Sequence, residues 1–347
     1  MSGIRRADRI GPVLSSMTLF AVTLACTTGG LWAQAPIPDT PAPGLTGTLV
    51  VLNKSGHDAS LIDLASGETV AMLPTGEGPH ELLVTSDGRT AVGTDYNAGH
   101  SLTVFDVAEP RVLRTIDLSD YPRPHGIVWL PGQREVLVTS EASNRLVVVD
   151  IVEGRVVRSI DTQQPGSHMV AVSEDGSVAY TSNGAGNSVS VIDVPAGRVT
   201  RVLDVPDRPE AITTTRSGDE IWVGSNNEVV VSVVSPEDGS IERQWDGFSW
   251  PYRILLTRDE RMAIMPDMRT NTIRFFDNAT HEELGSIDLA LMGPQGVVLH
   301  PDDRTLFLSL SRRDRVIAID IETREILGSY ATGSSPDGIG YSPLVIR

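Results

Sequence analysis

The chain has one cysteine, Cys26, and it lies close to the start. Everything after it is therefore without a disulfide, a thiol nucleophile or a Cys-based metal, Fe–S or c-type haem site. Basic residues are also scarce: 28 Lys and Arg face 45 Asp and Glu, a net charge of −17. That balance opposes non-specific binding to nucleic acid or anionic lipid and leaves cationic partners and metal ions open. Beyond the first 35 residues no apolar run is long enough to cross a bilayer. No window keeps a helical period, so long helices are not expected. A nucleophile elbow, a phosphate-binding loop and a dinucleotide fingerprint on a strand–helix turn are all missing.

Residues 1–35 read as an export signal. Arg5, Arg6 and Arg9 form a basic start, Val13 to Cys26 is mostly apolar, and Ala33-Gln34-Ala35 fits a small-x-small cleavage pattern. Pro36 would follow that cut, so cleavage after Ala33 is the alternative. Thr23-Leu24-Ala25-Cys26 resembles a lipoprotein box with Thr where Leu is usual, and Arg5-Arg6 a twin-arginine pair in a poor context. The expectation is an exported protein, periplasmic or secreted, with a lipid anchor at Cys26 as a variant. Loss of residues 1–35 leaves 25 basic against 44 acidic residues, or −19. Residues 36–46 are Pro-rich and read as an extended linker.

The remainder, 47–347, repeats one phrase seven times. An alternating strand ends at Asp63, Asp106, Asp150, Asp193, Ser235, Asp277 and Asp320, at intervals of 42 to 44 residues. A second landmark follows 16 to 18 residues later, at Pro79, Pro124, Ser167, Pro209, Pro251, Pro294 and Pro336. A fixed period of this length marks an array of one supersecondary unit. Within one unit, Ser188 to Asp193 alternates polar and apolar, Pro195-Ala196-Gly197 turns the chain, and Val199 to Val205 returns it. Four short antiparallel strands per unit make a blade. The fold class is all-β, a seven-bladed β-propeller. The chain enters in mid-unit near Thr48 and ends with an extra inner strand, Gly338 to Ser342, so closure should pair the N- and C-terminal strands and leave no open edge.

Tyr180-Thr181-Ser182-Asn183, Ser188 to Asp193 and Pro124-His125-Gly126-Ile127 resemble the YVTN repeat of YncE-like and surface-layer propellers, across roughly residues 47–345. The WD40 signature is absent. The resemblance implies an exported seven-bladed propeller. Related propellers include lactonases, lyases and quinoprotein dehydrogenase subunits, so the fold leaves the activity open.

Two repeat positions break the symmetry. The residue after the Gly/Pro step opens the innermost strand and reads His80, His125, His168, Glu210, Tyr252, Gln295 and Asp337. The position six before the Asp anchor reads His57, His100, Asn144, Asn187, Val229, Asn271 and Asp314, on the same face. The Asp anchors themselves recur in six blades and read as turn acceptors. Three imidazoles and a carboxylate at a channel mouth (His80, His125, His168 and Glu210) suit a divalent transition metal, Zn, Fe, Mn or Cu. They suit a metal-free polar funnel equally. Trp250, Tyr252 and Arg253, with Arg123, Arg208, Gln295 and Asp337, are candidates for gripping a ligand. Asp95, Tyr96, Glu141, Asn183, Asn226 and Asp267 end their strands on that side. The leading expectation is a monomeric scaffold whose funnel docks a small molecule or a partner protein. A lactonase-like metal-dependent lyase or hydrolase is the alternative, and a structural surface protein the third. No catalytic residue is assigned.

Overall fold

A computed structural model describes residues 37–346; the export-signal expectation for residues 1–35 lies outside them. Twenty-eight strands form seven four-stranded antiparallel sheets, and no helix occurs among the described residues. No helix long and apolar enough to cross a membrane is therefore present there. Six blades are contiguous in sequence. The fourth, for example, runs Ser167–Val172, Val178–Asn183, Ser188–Asp193 and Arg198–Asp204 from the axis outward. The remaining blade joins the two chain ends: Pro336–Ser342 pairs with Thr48–Asn53, Thr48 opposite Ser342 and Val50 opposite Gly340. This is the closure the sequence predicts, and it leaves no blade missing an inner strand.

The second and third strands of each blade are the most buried and the fourth strand is largely exposed. Thr305–Leu310 is buried throughout, whereas Arg111–Asp117 buries little beyond Ile116. Apolar side chains on facing sheets meet in shared cores. Leu49, Val51 and Ile62 pack with Phe307, Val316 and Tyr330 across the closing seam. Val92 and Val104 pack with Val136 and Val147 between the next two blades. Burial spread over many small cores holds a chain of this size without one large interior.

The Pro-rich segment does not hang free. The Ser329 N–H donates to Thr40 O (2.9 Å), Ser329 Oγ donates to Pro38 O (2.6 Å), and the Ala42 N–H reaches Tyr330 Oη. Residues 38–42 thus lie along the outer strand Ile326–Ala331, and Ala42 is buried. Proline suits this place because an edge position needs fewer backbone donors.

One backbone device recurs and builds the mouth. Where each inner strand begins, its register against the second strand slips. Pro79 pairs with Asp95 and Leu82 with Gly93, so His80 and Glu81 together oppose Thr94 alone. The same slip follows Pro124, Ser167, Pro209 and Pro294. Such a bulge re-aims side chains and frees a backbone N–H. The freed group is satisfied one strand away: Glu81, Gly126, Met169 and Gly296 N–H donate to the hydroxyls of Thr94, Thr139, Ser182 and Ser309. Two of these hydroxyls also donate across to the next blade, Thr139 to His168 O and Ser182 to Glu210 O. Mouth residues are thereby fixed both within and between blades.

Candidate functional site

The bulges turn the residue after each Gly/Pro step toward the axis. There they wall a cavity of about 600 Å³ with His80, His125, His168, Glu210, Tyr252 and Gln295 on its lining. Asp337 sits behind them, fully buried. The His80 and His125 rings meet edge to face with centroids 4.3 Å apart, and His125 and His168 lie 3.8 Å apart. The three imidazoles expected to converge do so.

Their environments differ. Burial pulls the His80 pKa down to about 4, against the nearby Asp337 carboxylate. Burial also drives His125 well below its ordinary value, helped by the two neighbouring imidazoles, and its Nδ1 rests 3.2 Å from Met169 Sδ. His168 goes the other way. Burial opposes its charge, but Glu141 (3.8 Å) and Glu210 (3.7 Å) outweigh that and raise it to about 9. Near neutral pH the floor therefore holds two neutral imidazoles beside one imidazolium.

Each acid of the mouth has an assigned partner. Asp337 Oδ2 accepts from Tyr252 Oη at 2.9 Å and pairs with Lys54 Nζ at 2.5 Å, with His80 Nδ1 against the same oxygen. Burial opposes the Asp337 charge, but His80 and Lys54 hold it well below the usual carboxylate range. Glu210 accepts from Asn226 Nδ2 (2.5 Å) and Trp250 Nε1 (3.1 Å). Glu141 accepts from Tyr96 Oη and pairs with Arg123 at 2.9 Å; burial opposes its charge, yet His168 and Tyr96 bring its pKa to about 2. Glu81 is clamped by Arg253, whose guanidinium also lies 4.2 Å over the Tyr252 ring. Hydrogen-bonding capacity is left over on buried atoms at the mouth: Gln295 Oε1, Asn226 Oδ1 and Asp337 Oδ1 have no hydrogen-bond partner. Such groups are costly unless something engages them.

The ligand-gripping candidates divide into two groups. Trp250, Arg123 and Arg208 are on the cavity wall with Tyr252 and Gln295. Arg208 and Arg269 both stack on Trp250, 5.6 and 4.3 Å from its centroid. Asp267 fixes that tryptophan through its backbone N–H (3.0 Å). Arg253 and Asp337 are buried partners behind the wall, not lining groups. The four residues expected to ligate one ion also divide: His168 and Glu210 pair with each other, while His80 and His125 form a ligand-sized cluster with Glu81.

His57 has a structural task. With φ 56° it accepts the Gly78 N–H on Nδ1 at 2.9 Å. Asn144, Asn187, Asn271 and Asp314 share its left-handed backbone and accept from Gly166, Arg208, Gly293 and Ser335. The position is a clasp between one blade's hairpin and the next inner strand. His100 lies in a separate shallow cleft beside Arg123.

Sequence reasoning missed Lys54, Glu81 and Met268. Lys54 and Met268 belong to one repeat position, the residue after each second strand, which reads Lys54, Tyr96, Glu141, Gly184, Asn226, Met268 and Ser311. Five of these line the cavity. Their variation from blade to blade is the signal that would have found them.

No family model matches the chain, and no curated protein matches it. Solved structures do. A functionally unknown protein from Desulfotomaculum acetoxidans DSM 771 superposes with a TM-score of 0.71 at 14% identity, covering 86% of this chain and 99% of that one. The dihydro-heme d1 dehydrogenase NirN, solved in complex with DHE, superposes with a TM-score of 0.64 at 15% identity, covering 90% of this chain and 78% of that one. At such identities the likeness speaks for the propeller fold alone.

Proposed function

We propose that the mouth cavity binds a small anionic molecule bearing a carboxylate or phosphate, and that the chain is an exported member of the YVTN-repeat propellers. One observation carries the binding reading. In a chain of −17, the guanidinium groups of Arg208 and Arg269 converge on the Trp250 ring at the cavity rim, and neither has an ion pair among the described residues. The acids deeper in the mouth are matched by Lys54, Arg123, Arg253 and His168, and Asp207 on the lining accepts from Asn227 Nδ2, which leaves two rim guanidinium groups to one unmatched carboxylate. The rim therefore keeps spare positive charge beside an aromatic wall, which suits an anion with a flat or apolar body. The volume falls in the range of small-molecule pockets, and the polar groups are recessed, which favours a small ligand over a protein surface.

The test is calorimetric titration of the protein with a panel of carboxylates, phosphates and neutral sugars of similar size. Anions should bind and neutral analogues should not. Trp250→Ala and Arg208→Ala should each weaken binding by about tenfold or more, the loss expected for a charge-assisted or cation–π contact. Equal binding of neutral sugars, or no response to either variant, would sink the reading.

A further inference from the structure

We infer that the mouth carries a second, separate capacity: a site for one divalent first-row transition ion held by His80, Glu81 and His125. One donor atom from each of these residues lies within 4.8 Å of the others. Three donors on one side of an ion with bonds of ~2.0–2.2 Å stand ~3–3.5 Å apart, so side-chain rotation that closes the set by roughly an ångström completes it. Two imidazoles and one carboxylate on a single side, with the remaining positions open, is the donor set that takes Fe(II), Zn(II) or Mn(II).

The backbone explains why these three meet. In a regular strand Glu81 would point away from His80. The bulge places both opposite Thr94, so consecutive side chains serve one region. His125 arrives from the neighbouring blade, its ring edge against His80 at 4.3 Å. The blade supplying His125 has Gly126 where the blade supplying His80 has Glu81. A β-carbon at Gly126 would stand 2.7 Å from Met169 Cα, so this blade can present only its histidine. The carboxylate has to come from Glu81. The His80 and His125 rings line the cavity, which leaves the open positions facing its interior. The buried Asp337 carboxylate against the His80 ring is the kind of outer partner that orients a ligating imidazole.

Two fixed cations compete with the ion. Arg253 holds Glu81, and Lys54 holds Asp337. Ion binding requires Glu81 to exchange Arg253 for the metal, and this gives the inference its sharpest consequence: removing the rival cation should tighten the site.

The experiment uses full-length protein without a His tag, stripped by chelator and dialysed against Fe(II) under argon, Zn(II) or Mn(II), each alone and with no organic ligand. Metal content is read by elemental analysis and affinity by titration. About one equivalent is expected for at least one ion. Glu81→Gln and His125→Gln should each weaken it more than tenfold, since even outer-shell partners cost about that much. Glu210→Gln should not change it, and Arg253→Gln should strengthen it. Circular dichroism reports whether each variant is folded. If any variant fails that check, Cu(II) bound to the wild type supplies the reading, with an electron paramagnetic resonance spectrum showing coupling to two nitrogens. No bound ion, coupling to fewer than two nitrogens, or a loss in Glu210→Gln equal to that in Glu81→Gln would overturn the inference. Because no anion is present, these outcomes are distinct from failure of the anion reading.

Discussion

The two ends of the propeller use the same backbone seven times and treat side chains in opposite ways. At the end away from the mouth, Asp63, Asp106, Asp150, Asp193, Asp277 and Asp320 do one job. Each carboxylate accepts N–H groups two or three residues on, as from Ser66, Glu109, Val152, Ala196, Thr280 and Glu322. A short acceptor that closes a turn is worth having in every copy. At the mouth the bulge is copied and the residue on it is not. His80, His125, His168, Glu210, Tyr252, Gln295 and Asp337 share a place and little chemistry. In a radial repeat, identity across copies marks what the frame requires, and divergence on a conserved backbone marks where a ligand would be met.

The harshest way to break this contrast is to open the ring. A chain ending at Tyr330 lacks Pro336–Ser342, which pairs with Thr48–Asn53 and packs Ile339 into the closing core. Both ends should fail together: the cooperative thermal transition should be lost, and calorimetry would show it. A sharp transition retained in the truncated chain would mean that the blades are stable one by one.

A gentler probe compares two aspartates. Asp95, at the mouth end, is fully buried, and burial raises its pKa to about 6 despite bonds from Ser101, Thr103 and Gly76. The folded protein then holds that proton more tightly than the unfolded chain. Its stabilising effect is complete below about pH 4 and is lost as pH rises through 6. Asp95→Asn should therefore be more stable than wild type at pH 7, by on the order of 3 kcal/mol, and the gain should vanish near pH 4. Denaturant melts at the two pH values would check it, and a gain that persists at pH 4 would contradict it.

The smallest effect belongs to the opposite end, with the opposite sign. Burial opposes the Asp320 charge, but Arg304 and the N–H groups of Thr323 and Glu322 outweigh it and lower its pKa. Its contribution is present above about pH 4 and is lost on acidification. Asp320→Ala should lower the melting midpoint at pH 7 by roughly a few degrees. It should leave anion binding at the mouth unchanged, and a change in affinity would show that the two ends are coupled.

The repeat, the four-stranded unit and the closing pair were legible because alternation, turn residues and the period of 42 to 44 agree with one another. The mouth ring was legible because three of seven histidines fall on one repeat position. Glu81 was hidden by the same alternation, since period-2 reasoning sends it to the far side of His80 and only the bulge returns it. Lys54 was hidden because no mouth Pro or His marks its position. The partition of charge was also out of reach: pairing Glu210 with His168, and Glu81 with Arg253 from four blades further along the chain, depends on curvature that a linear pattern does not encode. The Pro-rich stretch read as a spacer because its contacts, with Ser329 and Tyr330, lie almost three hundred residues away.

The closing strand also sets a clock. Asp337 arrives on the last strand of the ring to be synthesised, whereas the groups it engages (Lys54, His80 and Tyr252) are made earlier. Until that strand docks, Lys54 and His80 lack their buried carboxylate and Tyr252 lacks its acceptor. A partly made or C-terminally clipped chain therefore carries no assembled mouth. The residues at the axis come together in the same event that seals the fold.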